Sequence, residues 1–230
     1  SAEALVRWEH PTMGTIAPGA FVPVLERDNQ ISMLDRHVLH QVHALQESLA
    51  QQGANLVPIS MNLSRQDFYN DGLMNEIFSL AASGAVPKGF INYEVTESSV
   101  VSLQDTCTYL LEQIRETGAK VLLDDFGSGY SSLGMVGSYP FDVVKIDKSF
   151  VDEIESKMAV RAVIASIIEM CHHIGMKTVA EGVETRAQLD FLRAQGCDYI
   201  QGYYFAEPMA EGAFLDYVAT HAVCSEQDRE

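Results

Sequence analysis

The chain has 230 residues, a hydrophobic fraction of 47% and a charged fraction of 20%, enough apolar material for one large domain or two small ones and too much for a disordered polymer. Its 32 acids outnumber its 15 bases for a formal net charge of −17, which excludes a broad electrostatic grip on a nucleic-acid polymer or an anionic membrane, but not a small anion held through metal ions. No run reaches the roughly 18 apolar residues of a membrane span, no leader is expected, and cysteines 107, 171, 197 and 224 form no CxxC pair, so a cytoplasmic protein with free thiols, or the cytoplasmic part of a membrane-anchored one, is expected.

The predicted elements alternate along the chain. Strands are expected at residues 3–8, 56–62, 90–95, 120–124, 143–147, 177–181 and 197–201, where apolar or β-branched residues cluster. Helical periodicity covers residues 33–52, 72–83, 103–117, 157–174 and 187–195, and Gly118, Gly175 and Gly196 stand just past helical stretches, where a left-handed cap is expected. No Pro/Ser/Gly linker interrupts the series. Short strands alternating with helices of this length predict βαβ units around a parallel sheet. Seven strands are one short of a closed (β/α)8 barrel, and the shortfall falls at the front, since the chain opens directly into a strand. The expected fold is therefore α/β, a TIM-like barrel lacking its first strand and helix.

Strand side chains alternate between faces. Parity places Glu3 with Leu5 and Arg7, Asn62 with Ser60, Glu94 with Asn92, Lys145 with Asp147 and Val143, Glu181 with Val179, and Gln201 with Tyr199. Asp124 and Asp125 close their strand together. Carboxylates and an amide at the C-terminal ends of consecutive strands meet at one rim of a parallel barrel, the rim where such enzymes place their chemistry. So many like charges repel unless cations hold them. With oxygen donors and no His or Cys at matching positions, Mg²⁺ or Mn²⁺ suits the set better than zinc, and two ions about 3.5–4 Å apart would suit hydrolysis of a phosphoric ester.

The same residues carry a family resemblance. Glu3-Ala4-Leu5-Val6-Arg7, Met61-Asn62-Leu63-Ser64, Glu94-Val95-Thr96-Glu97, the run from Asp124-Asp125-Phe126-Gly127 to Leu133, Lys145-Ile146-Asp147, Ala180-Glu181-Gly182-Val183-Glu184-Thr185 and Gln201-Gly202-Tyr203 follow one another in order. The chain resembles the EAL domain, the cyclic di-GMP phosphodiesterase module of bacterial signalling, over residues 1–222, with a disordered tail at 223–230. The resemblance implies a barrel whose first strand runs antiparallel, a unit that normally precedes the Glu-Ala-Leu strand. It implies that Glu3, Asn62, Glu94 and Asp124 hold one metal, and that Asp124 bridges to a second held with Asp125 and Glu181. Lys145 would orient or activate water, with Glu181 a candidate base, Arg7 would contact a phosphate, Gln201 would line the metal–water site, and Glu97 would anchor the loop from Asp125 to Leu133. The implied reaction is hydrolysis of cyclic di-GMP to linear pGpG. The implied partners are that dinucleotide, a second copy of the chain, and a sensor or GGDEF-type domain in the full-length protein.

Ser128 stands where the family usually has Thr, Gly134 and Gly137 where it has larger residues in a dimer-contact segment, and Glu207 where a basic residue is common. None removes an implied ligand. The alternative from another class is a catalytically silent EAL receptor for cyclic di-GMP; a barrel enzyme acting on another substrate is a third. Glu3 is expected on a fraying terminus. His37, His40 and His43 are read as an ordinary helix face, His172 and His173 as favouring a helix C-terminus, and Met158, Met170 and Met176 as core fillers.

Overall fold

The computed structural model describes residues 1–127 and 133–221, and only the backbone of residues 102–107, 133 and 135. The chain runs through β1 (Ala2–Glu3), a hairpin of β2 (Trp8–His10) and β3 (Gly14–Ile16), helices α1 (Pro18–Arg27) and α2 (Ile31–Gln51), β4 (Ile59–Asn62), a 3₁₀ turn (Arg65–Tyr69) and α3 (Asp71–Ser83). It continues with β5 (Ile91–Thr96), α4 (Glu97–Glu116), β6 (Val121–Phe126), α5 (Leu133–Val136), β7 (Val143–Ile146), α6 (Lys148–Asp152), α7 (Met158–His173), β8 (Lys177–Ala180), α8 (Arg186–Ala194), β9 (Tyr199–Ile200) and α9 (Glu211–His221). Among the described residues no helix is long and apolar enough to cross a membrane.

Seven strands form one sheet in the order β1-β4-β5-β6-β7-β8-β9, each pair parallel. Strand order follows chain order, as crossover helices between parallel neighbours require. The sheet curls far enough that Gln201, just past β9, donates from Nε2 to Glu3 Oε2 of β1 at 2.9 Å. The fold is thus an incomplete (β/α)8 barrel. Its helix-facing core gathers Leu123, Val144 and Ile146 with Leu111 and Ile114 of α4 and Ile164 and Ile168 of α7, all buried. Inside the curl, Leu122, Val143 and Val179 make a separate apolar cluster. Two residues further along the same strands stand Asp124, Lys145 and Glu181, giving the layered interior of a barrel.

Local signals explain the helix starts. Thr96 and Asn70 accept from the backbone at the heads of α4 and α3, and Thr185 and Gln188 form a reciprocal capping box at α8.

The first predicted strand is corrected. Ala4 N still bonds Ser60 O at 2.8 Å, but β4 ends at Asn62 and the chain turns into the 3₁₀ segment, so residues 5–8 do not continue the pairing with β4. Trp8 belongs instead to the hairpin, paired with Ile16. Leu5 and Arg7 are exposed rather than sharing an inward face with Glu3. Met158 is 81% exposed at the first turn of α7, so it is no core filler, whereas Met176 is buried. His172 does not merely favour a helix end: its Nε2 pairs with Asp198 Oδ2 at 2.8 Å. His40 pairs with Glu76 at 2.8 Å. Cys171 is buried and Cys197 half-buried, both free thiols; the tail at 223–230, Cys224, the Cys107 side chain and Ser128 lie outside the described residues.

A buried acid pair fastens α2 to the segment that follows β4. Asp35 Oδ2 accepts from Ser64 Oγ at 2.6 Å and Asp67 Oδ2 from Ser64 N at 2.7 Å. Asp67 Oδ1 is buried with no donor, a defect removed if Asp35 carries a proton towards it. Burial, reinforced by the Asp67 charge, pushes Asp35 up to about 8, and burial raises Asp67 as well. A carboxyl whose pKa rises on folding stabilises the fold fully below its ordinary value of 3.8 and loses that contribution as pH climbs through the folded value. Urea unfolding should therefore show stability declining from about pH 4 towards pH 8, and Asp35→Asn should flatten the decline.

Candidate active site

Lys145 is the centre of the rim. It sits on β7 with its side chain 2% exposed, and Nζ lies 3.4 Å from Glu3 Oε2, 2.9 Å from Asp124 Oδ1 and 2.6 Å from Glu181 Oε1, and in still closer contact with Glu94 Oε2. These acids come from β1, from β6 and β5, and from the residue just past β8. Burial alone would depress an ammonium, but Glu94, Asp124, Glu3 and Glu181 outweigh it and hold Lys145 above its ordinary range.

The acids feel the reverse balance. Burial, against the pull of Lys145, pushes Glu94 up to about 7, with Glu3 and Asp124 adding to the rise. Glu181 is pushed up to about 7 for the same reason, burial first. Glu94 is also held by the Ser60 hydroxyl, a neighbour that shares the inward face of β4 with Asn62. Glu181 Oε1 has no partner in hydrogen-bonding geometry despite the nearby ammonium. One positive charge faces more carboxylates than it can neutralise.

Asp124 and Asp125 reach the same place through a backbone irregularity. Successive strand residues normally point to opposite faces. Between Leu123 and Phe126 the β6–β7 register shifts, and Asp125 takes φ of 56°, a left-handed conformation that a short acidic side chain tolerates better than most. This bulge turns both carboxyls towards the rim, as bulges beside functional sites do. Carboxylate oxygens of Asp124, Asp125 and Glu181 lie within 4.8 Å of one another. Burial, then the adjacent Asp124, raises the Asp125 carboxyl.

Glu3 is not frayed: its Oε2 accepts from Gln201 Nε2 at 2.9 Å and its Oε1 from Asn62 Nδ2 at 3.4 Å. Glu97 is buried at the head of α4; most of the loop it was expected to anchor lies outside the described residues. Arg7 lies apart from the carboxylates, its guanidinium donating to Val6 O at 2.8 Å, yet it lines the same open cleft of about 1840 Å³ as Glu3, Glu94, Asp124, Lys145 and Gln201. Lys148, which sequence reading passed over, also lines this cleft. Its position three residues after Lys145 was the available signal.

A model of the EAL domain family matches residues 1–208. The chain is 34% identical over 219 residues to the cyclic di-GMP phosphodiesterase NbdA of Pseudomonas aeruginosa, covering 95% of this chain and 28% of that protein. To the cyclic di-GMP phosphodiesterase RocR of the same organism it is 34% identical over 216 residues, covering 94% and 55%. A solved structure of the PaMucR phosphodiesterase in complex with c-di-GMP superposes with a TM-score of 0.85 at 33% identity, over 92% of this chain and 86% of that one. The chain spans only 28% and 55% of the length of the two curated relatives.

Removing the central cation should be costly, because it strands buried acids. Lys145→Met is expected to lower stability at neutral pH by about 3–5 kcal/mol, read by urea unfolding in the presence of a chelator, with part of the loss recovered in Glu94→Gln/Lys145→Met.

Proposed function

The chain belongs to the EAL domain family, and from that premise we propose that it is a metal-dependent phosphodiesterase that hydrolyses cyclic di-GMP to linear pGpG. The observation that carries the reading is the cluster of Asp124, Asp125 and Glu181, whose oxygens lie within 4.8 Å of one another, beside Glu3 and Glu94 around a single ammonium. Dense oxygen donors with a deficit of positive charge are the donor chemistry of hard divalent ions, Mg²⁺ or Mn²⁺.

In this reading Glu3, Asn62, Glu94 and Asp124 would hold one ion, and Asp124, Asp125 and Glu181 would hold a second. Such a pair, when bound, lowers the pKa of water and offsets charge on the phosphate oxygens. The chain's own groups then set geometry. Lys145 donates towards the attacking water from the centre of the rim, its position held by the carboxylates it touches. Glu181 shares that water's proton relay. Arg7 swings from its neighbour's carbonyl to a phosphate oxygen, Gln201 keeps Glu3 aimed inward, and Glu97 steadies the loop that follows Asp125. The water oxygen attacks phosphorus in line, the bond to the ribose 3′ oxygen breaks, and that oxygen leaves with a proton. Cyclic di-GMP itself is supported as ligand by the c-di-GMP complex of the PaMucR phosphodiesterase. The cytoplasm as the site of action, a second copy of the chain, and a sensor or GGDEF-type domain on the same polypeptide belong to the same proposal, the last supported by the greater length of the curated relatives.

The test is turnover of cyclic di-GMP with Mg²⁺ or Mn²⁺, followed by chromatography. Linear product is expected, with loss of about a hundredfold or more in kcat for Glu3→Ala and Asp124→Asn, since each ion supplies several kcal/mol of charge stabilisation. Ca²⁺, larger and less exacting in geometry, should bind without sustaining turnover. Tight binding of the dinucleotide with no product under any cation would assign the receptor function instead.

A further inference from the structure

Glu181 depends on a segment that is held from two sides. Its own N–H donates to Ile146 O at 3.1 Å, continuing the β7–β8 ladder by one residue. On one side Val183 N donates to Gln201 O at 3.1 Å and Val183 O accepts from Tyr204 N at 2.9 Å, tying the segment to the turn after β9. On the other side stands Lys148. Gly182 has φ of 68°, and a Cβ added there would fall 2.4 Å from Lys148 Cγ and 2.6 Å from Cδ. The aliphatic stem of Lys148 therefore lies flat on the backbone immediately after Glu181. Its ammonium reaches past to Glu184 Oε1 at 2.8 Å and back to Asp152 Oδ1 at 2.9 Å.

We propose that Lys148 is a positioning residue for Glu181: stem and ammonium together strap residues 182–184 to the head of α6, and this fixes where the Glu181 carboxylate meets Asp124 and Asp125. The role in metal binding rests on the phosphodiesterase reading above. Lys145 and Lys148 stand at the two ends of one short stretch, so the group central to the rim and the strap that aims one of its acids are set by the same turn from β7 into α6. Side chains that orient a metal ligand from behind typically govern 10–100-fold in affinity or activity. Lys148 is half exposed, so replacing it removes the strap without opening the core.

The experiment compares wild type with Lys148→Ala, Lys148→Arg and Glu184→Gln. Mn²⁺ binding is read by calorimetry without dinucleotide, amide exchange over residues 181–185 by mass spectrometry, and kcat and KM by product formation. Lys148→Ala is expected to weaken Mn²⁺ binding about tenfold, to speed exchange in residues 181–185 while leaving the central strands protected, and to lower kcat about tenfold with KM within about twofold of wild type. Glu184→Gln should move the same quantities in the same direction, and Lys148→Arg, which keeps stem and charge, should restore them. Unchanged Mn²⁺ affinity and exchange in Lys148→Ala overturn the proposal, as does a rise in KM alone, which would make Lys148 a contact of the dinucleotide. A wild type that binds Mn²⁺ but hydrolyses nothing overturns the phosphodiesterase reading, while the exchange and affinity differences between variants still decide the strap. A wild type that takes up no Mn²⁺ overturns both.

Discussion

Lys145 carries one positive charge into a place where its side chain is 2% exposed, and acids on β1, β5 and β6, with Glu181 just past β8, close around it. Burying an ammonium alone would cost several kcal/mol, and so would burying any one of the acids. Together they are tolerable only if the strands that carry them hold their relative heights. The parallel register does this: Asn62 stands opposite Glu94, Thr96 opposite Asp124, and Lys145 opposite Val179. Curling the sheet then brings the two edge strands within reach of each other, and the Glu3–Gln201 hydrogen bond records that closure.

Below this polar layer the inward faces of β6, β7 and β8 are hydrocarbon, while β4 and β5 carry Ser60 and Asn92. Leu122, Val143 and Val179 cluster on those three strands, and burial is the leading cause of the raised Glu94 and Glu181 carboxyls. The same low-polarity surroundings strengthen every electrostatic contact at the rim. At the rim the carboxylates outnumber the one ammonium they surround. Glu181 Oε1, 2.6 Å from Lys145 Nζ, shares that single cation with Glu3, Glu94 and Asp124.

Much of this was legible from residue order. The long amphipathic helices and the alternating strands have strong periodic signals, and parity alone grouped Glu94 with Asn92, Lys145 with Val143 and Glu181 with Val179. It failed where pairing stops. Leu5 and Arg7 follow Glu3 with perfect alternation, yet alternation carries meaning only while a neighbouring strand continues, and β4 turns away at Asn62. Helix α1 was hidden by Pro23 inside it and by the short hairpin ahead of it. The left-handed turn at Asp125 is likewise invisible in the letters, since Asp-Asp at a strand end reads equally well without a bulge. Asp35 with Asp67, and Lys148 with Gly182, are contacts between separate elements and have no local signature.

The contact between residues 3 and 201 has a temporal meaning. The sheet is laid down one neighbouring strand at a time in chain order, so most pairings join segments already close along the polypeptide. Closure of the rim instead waits for nearly the last strand to emerge, and loop-closure entropy makes such a long-range link slow to form. During synthesis the acids of the early strands are made before Gln201, whose amide reaches Glu3 across the two edges of the sheet. A chain cut short before its last strand would thus carry every acid of the rim and lack the Gln201 amide that holds Glu3 in place, so the order of the strands makes the far end of the polypeptide the keeper of its beginning.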